Sequence, residues 1–520
     1  MADARSALVT GRITCQDLVE GYLDRIDAYD QQGPALNSVI AVNPDAVEEA
    51  AALDAQGQVS KGAATGRLHC VPILAKDNID VGGMPTTGGS TALAGSMPPD
   101  DAFIIQQLRG EGAIVLGKAN MDKFAFGFQG YSTVSGQTRN PYQPEFGPGG
   151  SSSGTGAAVS ASLAMAGLGT DTGGSIRVPS SVSGLVGIRP SMRLLSQDGI
   201  VPLALFQDTA GPMCRAVEDC ALMLEVLAGY DSSPMSGQYT LPQQRDDMGV
   251  LIGSDTEFWE TVGARQRAYT KALHPQGLRN ARIGVVRALF GNNAEVREIL
   301  DAAIDQMEAA GATVDEVEIP DLNTVTGFTS LSAYEFRDHL TRYLASWPSD
   351  DDGHPQSFEE VHQLVNERVG TFNSRAVLGA DRYNNQTYNR NTLERPDYVR
   401  TRLLAALDNT DLERNALGEP YDALLYPSVV SLPRPGTPAA GTNNRLSAYS
   451  GFPALSMPAG FTEPSPTRPA LPVGMELLGR EFDEPTLLRL AYGYQRAVEG
   501  TPLGRQAPTT TPELAMAAAQ

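Results

Sequence analysis

Residues 171–177 read Asp171-Thr172-Gly173-Gly174-Ser175-Ile176-Arg177, a tight turn between two apolar stretches. Successive backbone N–H groups in such a turn can converge on an anion, which is what an oxyanion hole requires. The turn also presents Ser175, but a protonated hydroxyl is a poor nucleophile and needs a base. No histidine lies nearby in the chain, His69 being the nearest upstream. A lysine serves instead if burial holds it neutral, because desolvation lowers a lysine pKa. Only five lysines occur: Lys61, Lys76, Lys118, Lys123 and Lys271. Lys61, Lys123 and Lys271 sit in polar or helical settings. Lys76 and Lys118 each lie at or just past the end of a short apolar run that reads as a buried strand, where α/β folds place their sites. On the residues alone the two are equivalent candidates.

Other chemistries find no foothold. There is no G-x-x-x-x-G-K-[ST], no G-x-G-x-x-G after a strand and no H-E-x-x-H. The five histidines (His69, His274, His339, His354, His362) are scattered without ligand spacing, and no serine lies three residues before a lysine. Neither metal nor cofactor is therefore expected. Cys15, Cys70, Cys214 and Cys220 include no C-x-x-C pair, and they are not expected to form a disulfide framework. Gly150-Ser151-Ser152-Ser153-Gly154 matches the G-x-S-x-G nucleophile elbow in form. An elbow follows a strand, however, and here the proline-rich NPYQPEFGPG precedes it.

The elements that must position these residues show in the hydrophobic periodicity. Residues 14–29 form an amphipathic helix opened by a Thr14/Asp17 capping box. Val71–Ala75 and Ala113–Leu116 read as buried strands around a helix at 102–109. A second strand–helix–strand unit spans 282–319, with Val296, Ile299, Leu300, Ala303 and Met307 on one helical face. Strand-like segments at 421–427 and 473–479 and a helix at 484–498 complete the alternation. The fold class is α/β, with a mostly parallel or mixed sheet. Residues 147–191 hold eleven Gly and ten Ser but alternate them with Val, Leu and Ile, unlike a flexible linker. Such a segment suits tightly packed backbone and close approach of a ligand.

At 520 residues the chain is large enough to bury a substantial core without metals or disulfides. Its net charge of −22 disfavours phosphate backbones and anionic lipid surfaces, so neither nucleic acid nor membrane is an expected partner. No signal-like leader and no membrane-length apolar run is visible, which gives a cytoplasmic expectation.

The segment GPGGSSSGTGAAVSASLAMAGLGTDTGGSIRVPSSVSGLVGIRPS resembles the signature stretch of the amidase signature family. HCVPILAKDNIDV, AIVLGKANMDKFAFG, SQDGIVPLALFQDTAGPM and LPVGMELLGREFDEPTLLRLAYGYQRA resemble its flanking blocks, in order. The resemblance implies a mixed, largely parallel twisted sheet covered by helices on both faces. It also implies a Ser-Ser-Lys triad: Ser175 as acylated nucleophile, Ser151 as bridging serine after a cis bond from Gly150, and Lys76 as base. Lys118 is left a structural role. The oxyanion would rest on the N–H groups of Thr172, Gly173, Gly174 and Ser175. Asp171 and Arg177 would pair across the turn or form a plain surface ion pair, and Asp208 would support the site. Candidate substrate contacts are Phe126, Gln129 and Gly150. Phe124, Phe126, Phe128 and Tyr131 form either an apolar pocket wall or ordinary core.

The expected function is hydrolysis of a small-molecule amide by a monomer or homodimer, without cofactor. LSAYEFRDHLTRYLASWP looks more like stand-alone amidases, including peptide amidases, than like the glutaminase subunit of tRNA-dependent amidotransferases. That subunit is the alternative, and a catalytically inactive binding protein of the same fold is a third reading. Residues 1–500 are expected to form one large domain with an insertion at 231–280, where Trp259 could border the substrate entrance, and 501–520 a flexible tail.

Overall fold

The computed structural model describes residues 1–56, 66–233, 235–236, 269–347, 354–365, 369–437 and 441–512. Among the described residues eleven strands form one mixed sheet. In chain order they are β1 (Val39–Val42), β2 (Pro72–Lys76), β3 (Ile114–Ala119), β4 (Ala166–Thr170), β5 (Val186–Arg189) and β6 (Ala210–Cys214). They continue with β7 (Arg282–Val285), β8 (Thr313–Glu316), β9 (Ala423–Pro427), β10 (Ala454–Phe461) and β11 (Pro472–Leu478). Across the sheet the order is β1-β3-β2-β4-β6-β5-β10-β11-β9-β7-β8. Parallel pairing joins β3, β2 and β4 on one side and β9, β7 and β8 on the other. Antiparallel pairs occupy the centre between them.

The local causes match the sequence. Every residue of β2, β3 and β4 is buried, so these strands need continuous apolar or small residues rather than alternation. The helix Cys15–Tyr29 opens with the reciprocal Thr14/Asp17 capping box and buries Leu18, Val19, Tyr22 and Ile26. The helix Ala294–Ala309 buries Val296, Ile299, Leu300, Ala303 and Met307 and is capped by the Asn293 side chain.

Two regions differ from expectation. The cysteines pair as Cys15–Cys70 and Cys214–Cys220. Cys15–Cys70 ties the first turn of the helix Cys15–Tyr29 to the approach to β2, a contact brought about by the fold and invisible in spacing. Residues 501–512, expected as tail, lie against the body: Arg25 donates to the Pro512 carbonyl and Tyr142 to the Gln506 carbonyl, each at 2.7 Å. Within 231–280 the flanks are packed, with Asp231 accepting from Ser196 and Tyr269 buried. Trp259 lies outside the described residues.

The candidate residues gather where β2 and β4 end side by side. Lys76 closes β2, and the 171–175 turn leaves β4 directly. The helices Ser153–Ser160 and Arg177–Val182 start immediately after Ser151 and Ser175, respectively, with Ser152 and Ile176 between.

Candidate active site

Lys76 is fully buried, and its Nζ lies 2.7 Å from Ser151 Oγ and 2.7 Å from Thr170 Oγ1. Burial lowers its pKa to about 7, against the opposing pull of Asp122, Asp171 and Asp208. A substantial fraction is therefore neutral near neutral pH. Thr170 also accepts from the Asn78 amide at 3.1 Å, which leaves the lysine two hydroxyl neighbours and no carboxylate in hydrogen-bond contact. The Gly150–Ser151 peptide bond is cis. A side chain at Gly150 would strike Asp122 Oδ2 at 2.1 Å, so the approach to Ser151 requires glycine.

Ser152 N–H donates to the Ser175 carbonyl at 3.2 Å, which docks the two serine segments together. No hydrogen bond joins Ser151 Oγ to Ser175 Oγ among the described residues. Thr172, Gly173 and Ser175 line a cavity of about 340 Å³. The N–H groups of Thr172, Gly173 and Ser175 have no acceptor among the described residues. Gly174, expected as a fourth donor, is different: its N–H donates to Asp171 Oδ1 at 2.6 Å. The turn closes on its own aspartate, which costs that donor but fixes the loop. Gly174 itself has φ +111°, a conformation that favours glycine.

Asp171 and Arg177 do pair across the turn, and the pair is entirely buried rather than at the surface. Arg189 also reaches Asp171, and Arg177 continues to Glu476, which accepts from Tyr426 as well. Burial alone would raise the Asp171 pKa, but Arg177 and Arg189 outweigh it and hold the carboxyl well below its ordinary range. Two carboxylates and two guanidiniums thus balance in a closed network behind the turn, the condition under which buried charges are tolerated. Asp208 sits beside it, accepting from the Thr172 hydroxyl and from the N–H groups of Leu203 and Ala204. Lys118 points elsewhere. Its Nζ lies 3.6 Å from Asp77 and donates to Thr86 Oγ1 and the Pro85 carbonyl.

The expected substrate contacts do not line this cavity. Phe126 packs against Phe336 and Phe372 beneath the Arg375 guanidinium. Gln129 is exposed, its N–H held by Asp122, and Gly150 is buried. Their neighbours Ala125, Gly127 and Phe128 line the cavity instead. The opposite wall comes from 327–332 and 444–449, including Phe328, Ser330, Asn444 and Tyr449. Thr170, Gln207 and Asn444 were missed from the sequence. Only the place of Thr170, directly before the turn, offered a signal.

This fold and buried Lys–Ser centre define the class, and the comparisons agree. The sequence model of the Amidase family matches residues 17–488, and the chain belongs to that family of amide-cleaving enzymes. Among curated relatives, the A subunit of glutamyl-tRNA(Gln) amidotransferase from Deinococcus radiodurans is 34% identical over 506 residues, covering 94% of this chain and 95% of the relative. The protein of the same name from Alkaliphilus metalliredigens is 31% identical, with 95% of both chains covered. Among solved structures, native peptide amidase from Stenotrophomonas maltophilia superposes with TM-score 0.80 at 32% identity, over 98% of each chain. The A subunit of glutamyl-tRNA(Gln) amidotransferase from Thermotoga maritima gives TM-score 0.67 at 25% identity, over 96% of this chain and 95% of that one.

Proposed function

We propose that this chain hydrolyses a small neutral carboxylic amide through an acyl-enzyme on Ser175. The observation that carries the reading is Lys76, buried, depressed to about 7 and 2.7 Å from Ser151 Oγ, beside a Ser175 that opens into a cavity. Neutral Lys76 has two N–H bonds and one lone pair. With the N–H bonds directed to Thr170 Oγ1 and, at 3.4 Å, the Thr170 carbonyl, the lone pair faces Ser151. Lys76 then accepts the Ser151 proton while Ser151 accepts that of Ser175, whose Oγ attacks the amide carbon. The resting separation of the two serines closes as substrate binds, as catalytic hydrogen bonds often do. The oxyanion rests on the free N–H groups of the turn. The proton returns through Ser151 to the departing nitrogen, which must leave as ammonia or an amine, and water releases the acid.

The named relatives favour a second reading, a glutamine-hydrolysing subunit that works in a complex. Against it stands the cavity lining: among the described residues it contains Arg445 but no carboxylate to receive the ammonium of free glutamine. The higher TM-score to peptide amidase supports the stand-alone reading.

The test is ammonia and amine release by the purified chain from an amidated dipeptide, an aromatic primary amide, an anilide, a carbamate and glutamine. Cleavage of a substrate other than glutamine, lost by roughly 10⁶-fold in Ser175→Ala, is the expected result. Activity on glutamine alone would favour the amidotransferase reading. Ser175→Ala turnover equal to wild type would remove the acyl-enzyme. Reaction of Ser175 with a fluorophosphonate separates both from an inactive scaffold.

A further inference from the structure

In a planar trans peptide the N–H lies opposite the preceding carbonyl. Whatever holds a carbonyl therefore decides where the next N–H points. Along the turn, three successive carbonyls are held from outside it. Asp171 O accepts from Arg189 and from Thr209 N–H. Thr172 O accepts from Gln207 Nε2 at 2.7 Å, and Gly173 O accepts from Asn444 Nδ2. These fix the N–H groups of Thr172, Gly173 and Gly174 respectively. The last is consumed by Asp171, so Thr172 and Gly173 remain as donors from this set. The Thr172 N–H is oriented by an extension of the β4–β6 pairing, in which Asp171 and Thr209 exchange hydrogen bonds. The Gly173 N–H depends on one side chain, because Gln207 is the sole donor to Thr172 O among the described residues.

Gln207 is 1% exposed and its amide is saturated. Oε1 accepts from Leu331 N–H at 3.2 Å and from Arg395 Nη1 at 3.3 Å. Nε2 donates to Ser330 Oγ at 3.2 Å in addition to Thr172 O. Arg395 and the Leu331 N–H can only donate, so the oxygen must face them and the NH₂ must face the turn. The amide cannot flip.

We propose that Gln207 is a positioning residue that aims the Gly173 N–H at the oxyanion and ties this donor to segment 329–332 of the cavity wall. Gln207 borders the cavity but is 1% exposed with both amide atoms engaged, so it acts through the Thr172–Gly173 peptide. The proposal rests on the acyl-enzyme reading. It goes beyond it in naming a side chain outside the turn whose loss slows chemistry without altering the base.

The test uses Gln207→Glu and Gln207→Met in the full chain, with an alkyl fluorophosphonate as probe and Ser175 labelling located by mass spectrometry. The phosphoryl oxygen of this probe needs the same donors as a tetrahedral intermediate. Gln207→Glu keeps the volume and both acceptor contacts but sets an oxygen against Thr172 O. Both variants should label about 10- to 100-fold more slowly, since loss of one oxyanion donor costs at least that much. Both thermal midpoints should fall, because each variant leaves buried polar partners of the amide unpaired, so rates are compared at a temperature where every protein is fully folded. The pH midpoint of labelling in Gln207→Met, set by Lys76, should not move. Labelling of Gln207→Glu within about twofold of wild type, a wild-type rate in the folded fraction of either variant, or a displaced pH midpoint in Gln207→Met would each overturn the proposal. An unlabelled wild-type Ser175 would remove the acyl-enzyme reading instead, and this proposal with it.

Discussion

Lys76 ends β2 and Lys118 stands one residue before the end of the neighbouring parallel strand β3, and both are fully buried. Burial lowers the pKa of each. Their surroundings nevertheless divide them. Lys118 pairs in register with Ala75, one residue short of Lys76. Residues paired across strands share a face and successive residues alternate, so the two lysines leave opposite sides of the sheet. On one side Lys76 meets the hydroxyls of Ser151 and Thr170. On the other, Lys118 meets the Asp77 carboxylate, with Asp80 also favouring its charged form. Hydroxyls leave a desolvated amine free to be neutral, whereas a touching carboxylate works against burial and favours the charged form. A single residue of register separates the proposed base from half of an ion pair.

The same substitution at the two positions should therefore fail in opposite ways. Lys76→Met should lower kcat by about 10³- to 10⁴-fold, the contribution of a general base. Its thermal midpoint at pH 6 should be no lower than that of wild type, because a lysine that resists its own charge does not stabilise the fold. The sign follows from linkage. Between about 7 and the ordinary 10.5 the unfolded chain binds more protons at this site than the folded one, so the Lys76 contribution to stability is least favourable at low pH and improves as pH rises through that window. Near-normal turnover in Lys76→Met would transfer the base role to Lys118.

Lys118→Met should keep kcat per folded molecule but cost about 3 kcal/mol of stability, since it strands Asp77 as a buried charge without its partner. Denaturant unfolding alongside active-site titration separates the two quantities. A loss of kcat with unchanged stability would contradict the division of roles.

How much of this was legible follows from the same contrast. Apolar runs located β2 and β3, and the Gly-Gly-Ser turn stood out by composition, so both lysines and Ser175 were in view. Spacing alone did not choose between the lysines; the family resemblance assigned Lys76, and the register, which no window of sequence contains, accounts for their different surroundings. Gly174 was expected as a free donor because nothing in Asp171-Thr172-Gly173-Gly174 says that the aspartate folds back onto its N–H. Gln207 and Asn444 act through single amide hydrogen bonds from distant segments and leave no spacing pattern. The cavity wall is assembled from 125–128, 327–332 and 444–449, which meet only in the fold. For that reason the aromatic cluster divided: Phe126 joined a core with Phe336 and Phe372, while Phe128 lines the cavity.

A smaller effect tests how far Lys76, as the proposed base, depends on its strand. The Cys15–Cys70 bond, spanning a separation of 55 residues, anchors the chain just before β2 begins, at the opposite end from Lys76. Its removal in Cys15→Ser/Cys70→Ser should cost about 2–4 kcal/mol by freeing the unfolded chain, with kcat unchanged because every partner of Lys76 comes from the far end of the strand. A fall in kcat in protein that remains folded would show that the base is positioned by this bond as well as by its hydroxyl neighbours.

The finest distinction between the lysines is electrostatic. If neutral Lys76 is the base, kcat/KM rises with pH as its proton leaves and levels above a midpoint near 7. Of the charges that oppose its neutral form, Asp122 exerts the strongest pull, followed by Asp171 and Asp208. Asp122→Asn removes a negative charge that stabilises the ammonium, so the midpoint should move toward acid by less than about one unit. Asp77→Asn takes away the carboxylate beside Lys118, on the other face of the sheet, and should move the midpoint less than Asp122→Asn does. Both profiles come from initial rates across pH 5–9 on one amide. A midpoint that shifts with Asp77 and ignores Asp122 would mean that the titrating amine lies on the other face of the sheet.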